Sequence, residues 1–280
     1  MFAITSLLPP LPRLKIVDVG AMKLDEDADV YEPLLKATPC ELIGFEPVKR
    51  EFDKLNAAVK ANQRYLPYFV GDGSKRTFYE CNFPMTSSLF EPNTALLAKF
   101  QNLEGVIRVV NTYPVETTRL DDIPEIRGTD FLKVDVQGAE LLVFQGAANM
   151  LNDVLVVQTE VEFVALYKDQ PLFSDIDSFL RARGFQLHKI GWSGRTFRPL
   201  VMNNDINAAM SQWLWGDAIY VRDFMAFDRC APMSLLKLAC ILHEIYGSFD
   251  LAAVALEAYD RQTGAQLNKA YLEQLTKPPA

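Results

Sequence analysis

The feature that most constrains this chain is a series of short apolar runs, each closed by a turn or an acid and separated by helical spacing. Lys15–Val19 ends in Gly20, Glu41–Phe45 ends in Glu46-Pro47, and Tyr65–Val70 ends in Gly71-Asp72-Gly73. Residues 26–37 and 48–61 read as helices, the second through Phe52, Leu55, Ala58 and Val59. Strands buried on both faces are continuous apolar runs, and strands alternating with helices build βαβ units on a parallel sheet. Between 75 and 118 the alternation stops. The expectation there is three short β-like pieces (Thr77–Cys81, Val106–Asn111, Val115–Thr118), a helix over Thr94–Asn102 and an irregular aromatic stretch over 82–90. Alternation resumes with a strand at Phe131–Val136, a helix over 138–151, a strand at Val154–Val161, a helix over 172–183 and strands at Phe185–Ile190 and Ala218–Val221. From Pro232 only helical spacing remains: Leu235, Leu238, Ala239, Leu242 and Ile245, a stop at Gly247, then helices over Asp250–Tyr259 and 266–275. The chain divides on this basis into an α/β domain over 1–225, with its core at 14–222, and an all-helical C-terminal extension over 226–280.

Composition narrows the partners. The 280 residues are 49% hydrophobic and 23% charged, an ordinary balance for a chain that buries a full core. Net charge is −8 and the longest basic cluster is Lys49-Arg50, so most of the surface repels a phosphate backbone and no nucleic-acid partner is expected. Cys40, Cys81, Cys230 and Cys240 lack C-x-x-C or zinc spacing and read as small buried thiols of a reducing compartment. No apolar segment has the length of a membrane span. The N-terminal stretch lacks a basic n-region and is cut by Pro9, Pro10 and Pro12, so a cytoplasmic protein without a membrane partner is expected.

In an open α/β sheet, ligands bind outside the carboxyl ends of the strands, at the point where strand order reverses. Asp18, Gly20 and Ala21 close the first strand; a glycine there admits close approach of a ligand, or simply makes a turn. Glu46, followed by Pro47, is placed to accept hydrogen bonds from both hydroxyls of a ribose, or is a solvated carboxylate before a proline turn. Gly71 and Asp72 end the third strand, where an adenine edge would lie; a plain turn aspartate is the competing reading. Asp135 comes off the Phe131–Val136 strand toward the same crevice, where a carboxylate can orient a substrate, hold a metal or take a proton. Glu140 either contacts the substrate or serves as an acid in the first turn of the next helix.

Glu160, alternating with Glu162, is a second candidate base or substrate ligand, or part of a half-exposed strand. His188 is a third candidate base, though a strand histidine more often packs; His243, in the helical tail, reads as structural. The irregular segment 82–93, with Phe83, Met85, Ser87, Ser88 and Phe90, is a candidate lid or acceptor wall, with Ser87 and Ser88 as substrate contacts. Asp135, Glu140 and Glu160 carry the oxygen donors of a Mg²⁺ site, but no residue is assigned as a metal ligand.

These pieces resemble a known group. Val17-Asp18-Val19-Gly20-Ala21, Gly44-Phe45-Glu46-Pro47, Gly71-Asp72-Gly73, Thr86-Ser87-Ser88-Leu89, Thr118-Arg119-Leu120-Asp121-Asp122, the run from Phe131 to Glu140, and Gln158-Thr159-Glu160-Val161-Glu162-Phe163 follow, in order, the motifs of the FkbM family of methyltransferases. The likeness extends over about residues 14 to 190. It implies a Rossmann-like, seven-strand methyltransferase sheet with an antiparallel last strand, S-adenosylmethionine (SAM) as cofactor, and methyl transfer to a hydroxyl oxygen of a sugar or other secondary metabolite. By the same resemblance Asp18 and Gly20 would line the methionine end of the cofactor, Glu46 the ribose and Asp72 the adenine side, with Asp135 facing the transferred methyl. Two positions depart from the pattern. Met22-Lys23-Leu24 stands where a second glycine is usual, and Gln137 stands where the family commonly has Glu, which removes a base or strong metal ligand from that position.

For methyl transfer the order of candidate bases is Asp135, then Glu160, then His188. Two rival readings remain on the sequence alone. A nucleotide-linked oxidoreductase is disfavoured by the absence of G-x-G-x-x-G after the first strand. A non-catalytic, methyltransferase-like module would act through residues 232–276, whose apolar helical faces could cover the parent domain, a second copy or another protein.

Overall fold

The computed structural model describes residues 2–22 and 28–276. In chain order the elements are β1 (Leu14–Val19), α1 (Glu32–Ala37), β2 (Cys40–Phe45), α2 (Lys49–Ala57), β3 (Gln63–Leu66), β4 (Lys75–Cys81), α3 (Thr94–Leu97), α4 (Leu103–Val106), β5 (Val109–Glu116), β6 (Phe131–Val134), α5 (Glu140–Gly146), β7 (Val156–Glu162), α6 (Phe173–Arg181), β8 (Phe185–Ile190), β9 (Trp215–Arg222), α7 (Pro232–Glu244), α8 (Phe249–Thr263) and α9 (Leu267–Leu275). Seven strands form one sheet in the order β3-β2-β1-β6-β7-β9-β8. The pairs from β3 to β7 are parallel, and β9, the last strand, runs antiparallel between β7 and β8. Strand order therefore reverses between β1 and β6, which places a ligand crevice above the carboxyl ends of β1, β2 and β6. This is the Rossmann-like, seven-strand arrangement with an antiparallel last strand.

Strand side chains alternate between two buried layers, which is why the strands read as unbroken apolar runs. Leu14, Ile16, Leu42, Phe131, Val156 and Val221 point into one cluster. Val17, Val19, Ile43, Leu132, Val134 and Val157 point into the other. The second layer is covered by α5 and α6, through Val143, Phe144, Ile176 and Leu180. The first is covered by the C-terminal helices together with α1 and the N-terminal segment. Leu235, Leu238, Ala239 and Leu242 of α7, Ala252, Ala255 and Leu256 of α8, and Tyr271 of α9 share one core with the sheet and with Ile4 and Leu34. The small side chains of α8 let it approach α7 closely. Polar groups fasten this layer: Lys237 reaches Asp130 at 2.9 Å, and the Tyr246 hydroxyl donates to Gln158 at 2.9 Å.

Several expected boundaries move. The helix expected over 26–37 is observed from Glu32, and residues 26–27 lie outside the described residues. The third strand ends at Leu66 rather than Val70, which makes an isolated bridge to Thr118. Val106–Asn111 and Val115–Thr118 are not two pieces but one strand, β5, running through Pro114 and pairing antiparallel with β4 in a separate hairpin. Pro114 lacks an amide hydrogen and fits there because a two-stranded ribbon has edges on both sides. The Thr94–Asn102 helix is only a single turn, α3, with α4 following from Leu103. The helix expected over 138–151 stops at Gly146, and the last strand extends in both directions beyond Ala218–Val221.

Candidate functional site

A cavity open to solvent lies above the carboxyl ends of β1, β2 and β6. One wall is the turn after β1 and the start of the turn after β6, with Gly20, Met22, Asp135 and Gln137. Glu46, Pro47 and Val48 follow from β2. The opposite wall is apolar and aromatic, with Phe45, Tyr68, Phe69 and Phe78. Pro84, Met85, Ser87, Ser88 and Leu89 close one side, so the irregular segment forms part of the cavity wall.

Gly20 is required by the close approach of the chain leaving β6, the parallel neighbour of β1. Its φ is +86°, and a Cβ would stand 1.9 Å from the Asp135 carbonyl oxygen. Any side chain there would separate β1 from the chain leaving β6, whatever ligand binds. Met22 lines the cavity, while Lys23 and Leu24 lie outside the described residues.

Glu46 is buried, and one of its carboxylate oxygens accepts the Val48 amide at 2.8 Å. Burial, partly offset by that hydrogen bond, pushes its carboxyl up to about 7. Asp18 lies on the other side of β1, away from the cavity. It is buried against α1 and the C-terminal layer, accepts the Tyr31 hydroxyl at 2.8 Å and pairs with Lys133 at 3.3 Å. Lys133 in turn reaches Asp135 at 3.8 Å and so links Asp18 to the cavity.

Gly71 and Asp72 do not line the cavity. Asp72 accepts the Ser74 amide at 3.0 Å and pairs with Arg76 at 3.1 Å. Despite slight desolvation, the Ser74 contacts and Arg76 hold its carboxyl below its ordinary value. It is the turn aspartate of the competing reading. Gly71 packs against Thr117, and its carbonyl lies where a side chain at Gly146 would go. The residues that line the cavity in this region are Tyr68, Phe69 and Phe78, in a loop and a hairpin whose approach to the crevice depends on tertiary packing. Aromatic residues flanking the third strand were the available signal.

Asp135 lines the cavity and accepts the Gln137 side-chain amide at 3.0 Å. The same nitrogen donates to Glu160 at 2.6 Å, so Gln137 bridges the two foremost candidate bases. Gln137 holds a left-handed backbone with φ +57°, a conformation that costs a residue other than glycine roughly 1–3 kcal/mol. Sequence reasoning set this residue aside because an amide is not a base, and so missed its bridging contacts. Glu160 is half-buried; burial first, then Asp135 and Glu162, push its carboxyl well above the ordinary range. Glu140 is fully buried. It accepts the Val136 amide at 2.9 Å and the Gly138 amide at 3.2 Å, binding its own helix start to the turn after β6.

Ser87 and Ser88 both face the cavity but are tied into the wall. The Ser87 hydroxyl accepts the Cys81 amide at 3.0 Å, and the Ser88 hydroxyl donates to the Gln137 carbonyl at 2.6 Å. Tyr167 fixes the same wall by donating to the Thr86 carbonyl at 2.8 Å. His188 is not in the crevice. Its Nε2 is 2.7 Å from the Ser248 hydroxyl at the start of α8, and burial together with Lys189 lowers its pKa. It stands on an edge strand beneath the helical layer, the packed alternative to a catalytic role. His243 is likewise buried, within 2.9 Å of the Tyr271 hydroxyl and the Phe2 carbonyl.

Among the described residues no helix is long and apolar enough to cross a membrane. Residues 18–187 match the family model described as the methyltransferase FkbM domain. Among curated protein sequences none matches significantly. Two solved structures overlap loosely with the chain. One is magnesium protoporphyrin IX methyltransferase from Synechocystis PCC 6803 with bound SAM, at 12% identity and a TM-score of 0.37, covering 78% of this chain and 76% of that one. The other is LepI in complex with SAM, at 8% identity and a TM-score of 0.34, covering 79% of this chain and 47% of that one.

Proposed function

This chain belongs to the FkbM methyltransferase family, and from that premise we propose that it transfers a methyl group from SAM to a hydroxyl oxygen of a small molecule, a sugar or another secondary metabolite. The observation that carries the reading is Glu46, a buried carboxylate ending β2 and facing a cavity at the point of strand-order reversal. Such a carboxylate accepts both hydroxyls of a ribose. The residues around it fit the rest of a nucleoside: Phe45, Tyr68, Phe69 and Phe78 offer an aromatic wall to an adenine ring. Bound there, SAM supplies an electrophilic methyl group on a sulfonium sulfur.

The protein's own contribution is alignment and a proton acceptor. Holding the acceptor oxygen in line with the methyl carbon turns a bimolecular step into an effectively unimolecular one. Asp135 takes the hydroxyl proton as the oxygen–carbon bond forms and the carbon–sulfur bond breaks; general-base assistance of this kind contributes about 10²–10⁴-fold. Gln137 fixes Asp135 relative to Glu160, and Glu160 orients the acceptor from the far side of the amide. Ser87, Ser88 and their neighbours form the acceptor-side wall.

Calorimetric titration with S-adenosylhomocysteine (SAH), the demethylated form of the cofactor, and separately with NAD tests the reading. Saturable SAH binding without NAD binding is expected; the reverse would replace the methyltransferase by a nucleotide-linked oxidoreductase.

A further inference from the structure

Behind the Gln137 bridge, three acids from two elements meet without a cation. Glu140 begins α5, and Glu160 and Glu162 lie on the same face at the end of β7. Each offers a carboxylate oxygen, and the three oxygens lie within 4.8 Å of one another. Glu140 is 0% and Glu162 1% exposed. In each of these two, one oxygen, Oε2, is buried with no hydrogen-bond partner. Lys133, on the neighbouring strand β6, is engaged by Asp18 and Asp135. No ion pair joins any of the three acids to a Lys, Arg or His among the described residues.

A buried carboxylate oxygen left without a partner costs about 1–3 kcal/mol, more when charged. Three carboxyl groups gathered in this way, two of them with an unpartnered oxygen, form an acidic pocket that a positive ligand would relieve. We propose that Glu140, Glu160 and Glu162 bind one hard divalent cation. Every donor is a carboxylate oxygen, which selects Mg²⁺, Ca²⁺ or Mn²⁺ over softer metals. The ion ties the start of α5 to the end of β7, the strand that carries Glu160 of the Gln137 bridge. It also fixes Glu160, whose other contact is the 2.6 Å hydrogen bond from Gln137.

The test uses the full chain, stripped with a chelator and titrated with Mn²⁺ while free Mn²⁺ is followed by electron paramagnetic resonance. One Mn²⁺ should bind per chain, be displaced by Ca²⁺ and raise the melting temperature of the wild-type protein. Affinity should fall at least tenfold in Glu162→Gln and in Glu160→Gln and stay within about threefold in Asp135→Asn. The wild-type titration and melting shift need no variant, so a glutamine variant that fails to fold leaves the test intact. The proposal is overturned if wild-type protein takes up no saturable Mn²⁺, or if both glutamine variants bind it unchanged. No SAM is present in these measurements, so Mn²⁺ uptake by a chain that does not bind SAH would refute the methyltransferase reading and leave the cation site standing.

Discussion

In the layer formed by α7, α8 and α9, most buried polar groups have partners, the Asn268 Oδ1 in α9 being an exception. His243 is bonded through both ring nitrogens, Lys237 meets Asp130, Tyr246 meets Gln158, and His188 reaches the layer through Ser248. Above the carboxyl ends of β6 and β7 the rule is reversed. Glu140 and Glu162 each keep an oxygen without a partner, Gln137 sits in a left-handed backbone, and Glu46, Glu140 and Glu160 hold protons more tightly than ordinary carboxyls do. Native interiors satisfy their polar groups, so a local concentration of exceptions marks where the molecule does something other than fold. The contrast also separates the two histidines, one in the helical layer and one bonded to it, from the acids that line or back the crevice.

The sharpest way to break this contrast is to remove one side of it. Truncation after Phe224 would strip α7–α9 from the sheet and expose Leu14, Ile16, Leu42, Phe131 and Val156 to water. At about 25 cal/mol per Å² of apolar surface, loss of that layer exceeds the stability of a typical domain. The truncated chain should be insoluble or lack a cooperative thermal transition, and a soluble fragment that melts cooperatively would make the helices an appendage.

Asp135→Asn is the corresponding test on the crevice side. Turnover should fall by about 10²–10⁴-fold with SAH affinity within a few-fold of wild type. Near-wild-type turnover would take Asp135 out of the mechanism. Glu46→Gln should act the other way round, on binding. Losing a charged acceptor of two hydroxyls costs about 1.5–3 kcal/mol, or roughly 10- to 100-fold in SAH affinity.

Glu46 also fixes a pH dependence. With its carboxyl at about 7, the wild-type site loses its charged acceptor as pH falls through 7, so SAH binding should weaken from pH 8 to pH 6, and the slope should flatten in Glu46→Gln. The sign for stability is opposite. A carboxyl that binds its proton more tightly when folded favours the fold at low pH, and its contribution is lost as pH rises from the ordinary carboxylate range through about 7. Glu140 shifts in the same direction, so the Glu46 share is the difference between wild type and Glu46→Gln in ligand-free melting at pH 6 and pH 8. The smallest effect belongs to His188→Ala. It should lower the melting temperature by about 2–4 °C for one lost hydrogen bond and leave turnover within a few-fold; a hundredfold loss of turnover would move His188 into the catalytic machinery.

The sequence showed which residues end strands, and strand ends determine which residues reach a crevice. That is why Gly20, Glu46, Asp135 and the Ser87–Ser88 segment were legible and line the cavity. It did not show to which side of the sheet a terminal side chain turns. Asp18 falls one residue too early along β1 and points into the layer of Tyr31. Asp72 lies in a turn whose own Ser74 and Arg76 satisfy it before any ligand could. The β5 strand was misread because Pro114 reads as a break in one dimension and is harmless on a two-stranded ribbon. Gln137 and Glu162 were missed for a common reason. Their roles depend on neighbours 23 residues away in one case and on α5 in the other, contacts that local spacing does not encode.

The 2.6 Å bond from the Ser88 hydroxyl to the Gln137 carbonyl has a kinetic side. It works as a latch between the cavity wall and the turn that carries the acid bridge. Residues 84–89 cannot swing outward without first releasing the backbone of the residue that holds Asp135 and Glu160 together. The position of this wall and the alignment of the two carboxylates are therefore held by one contact.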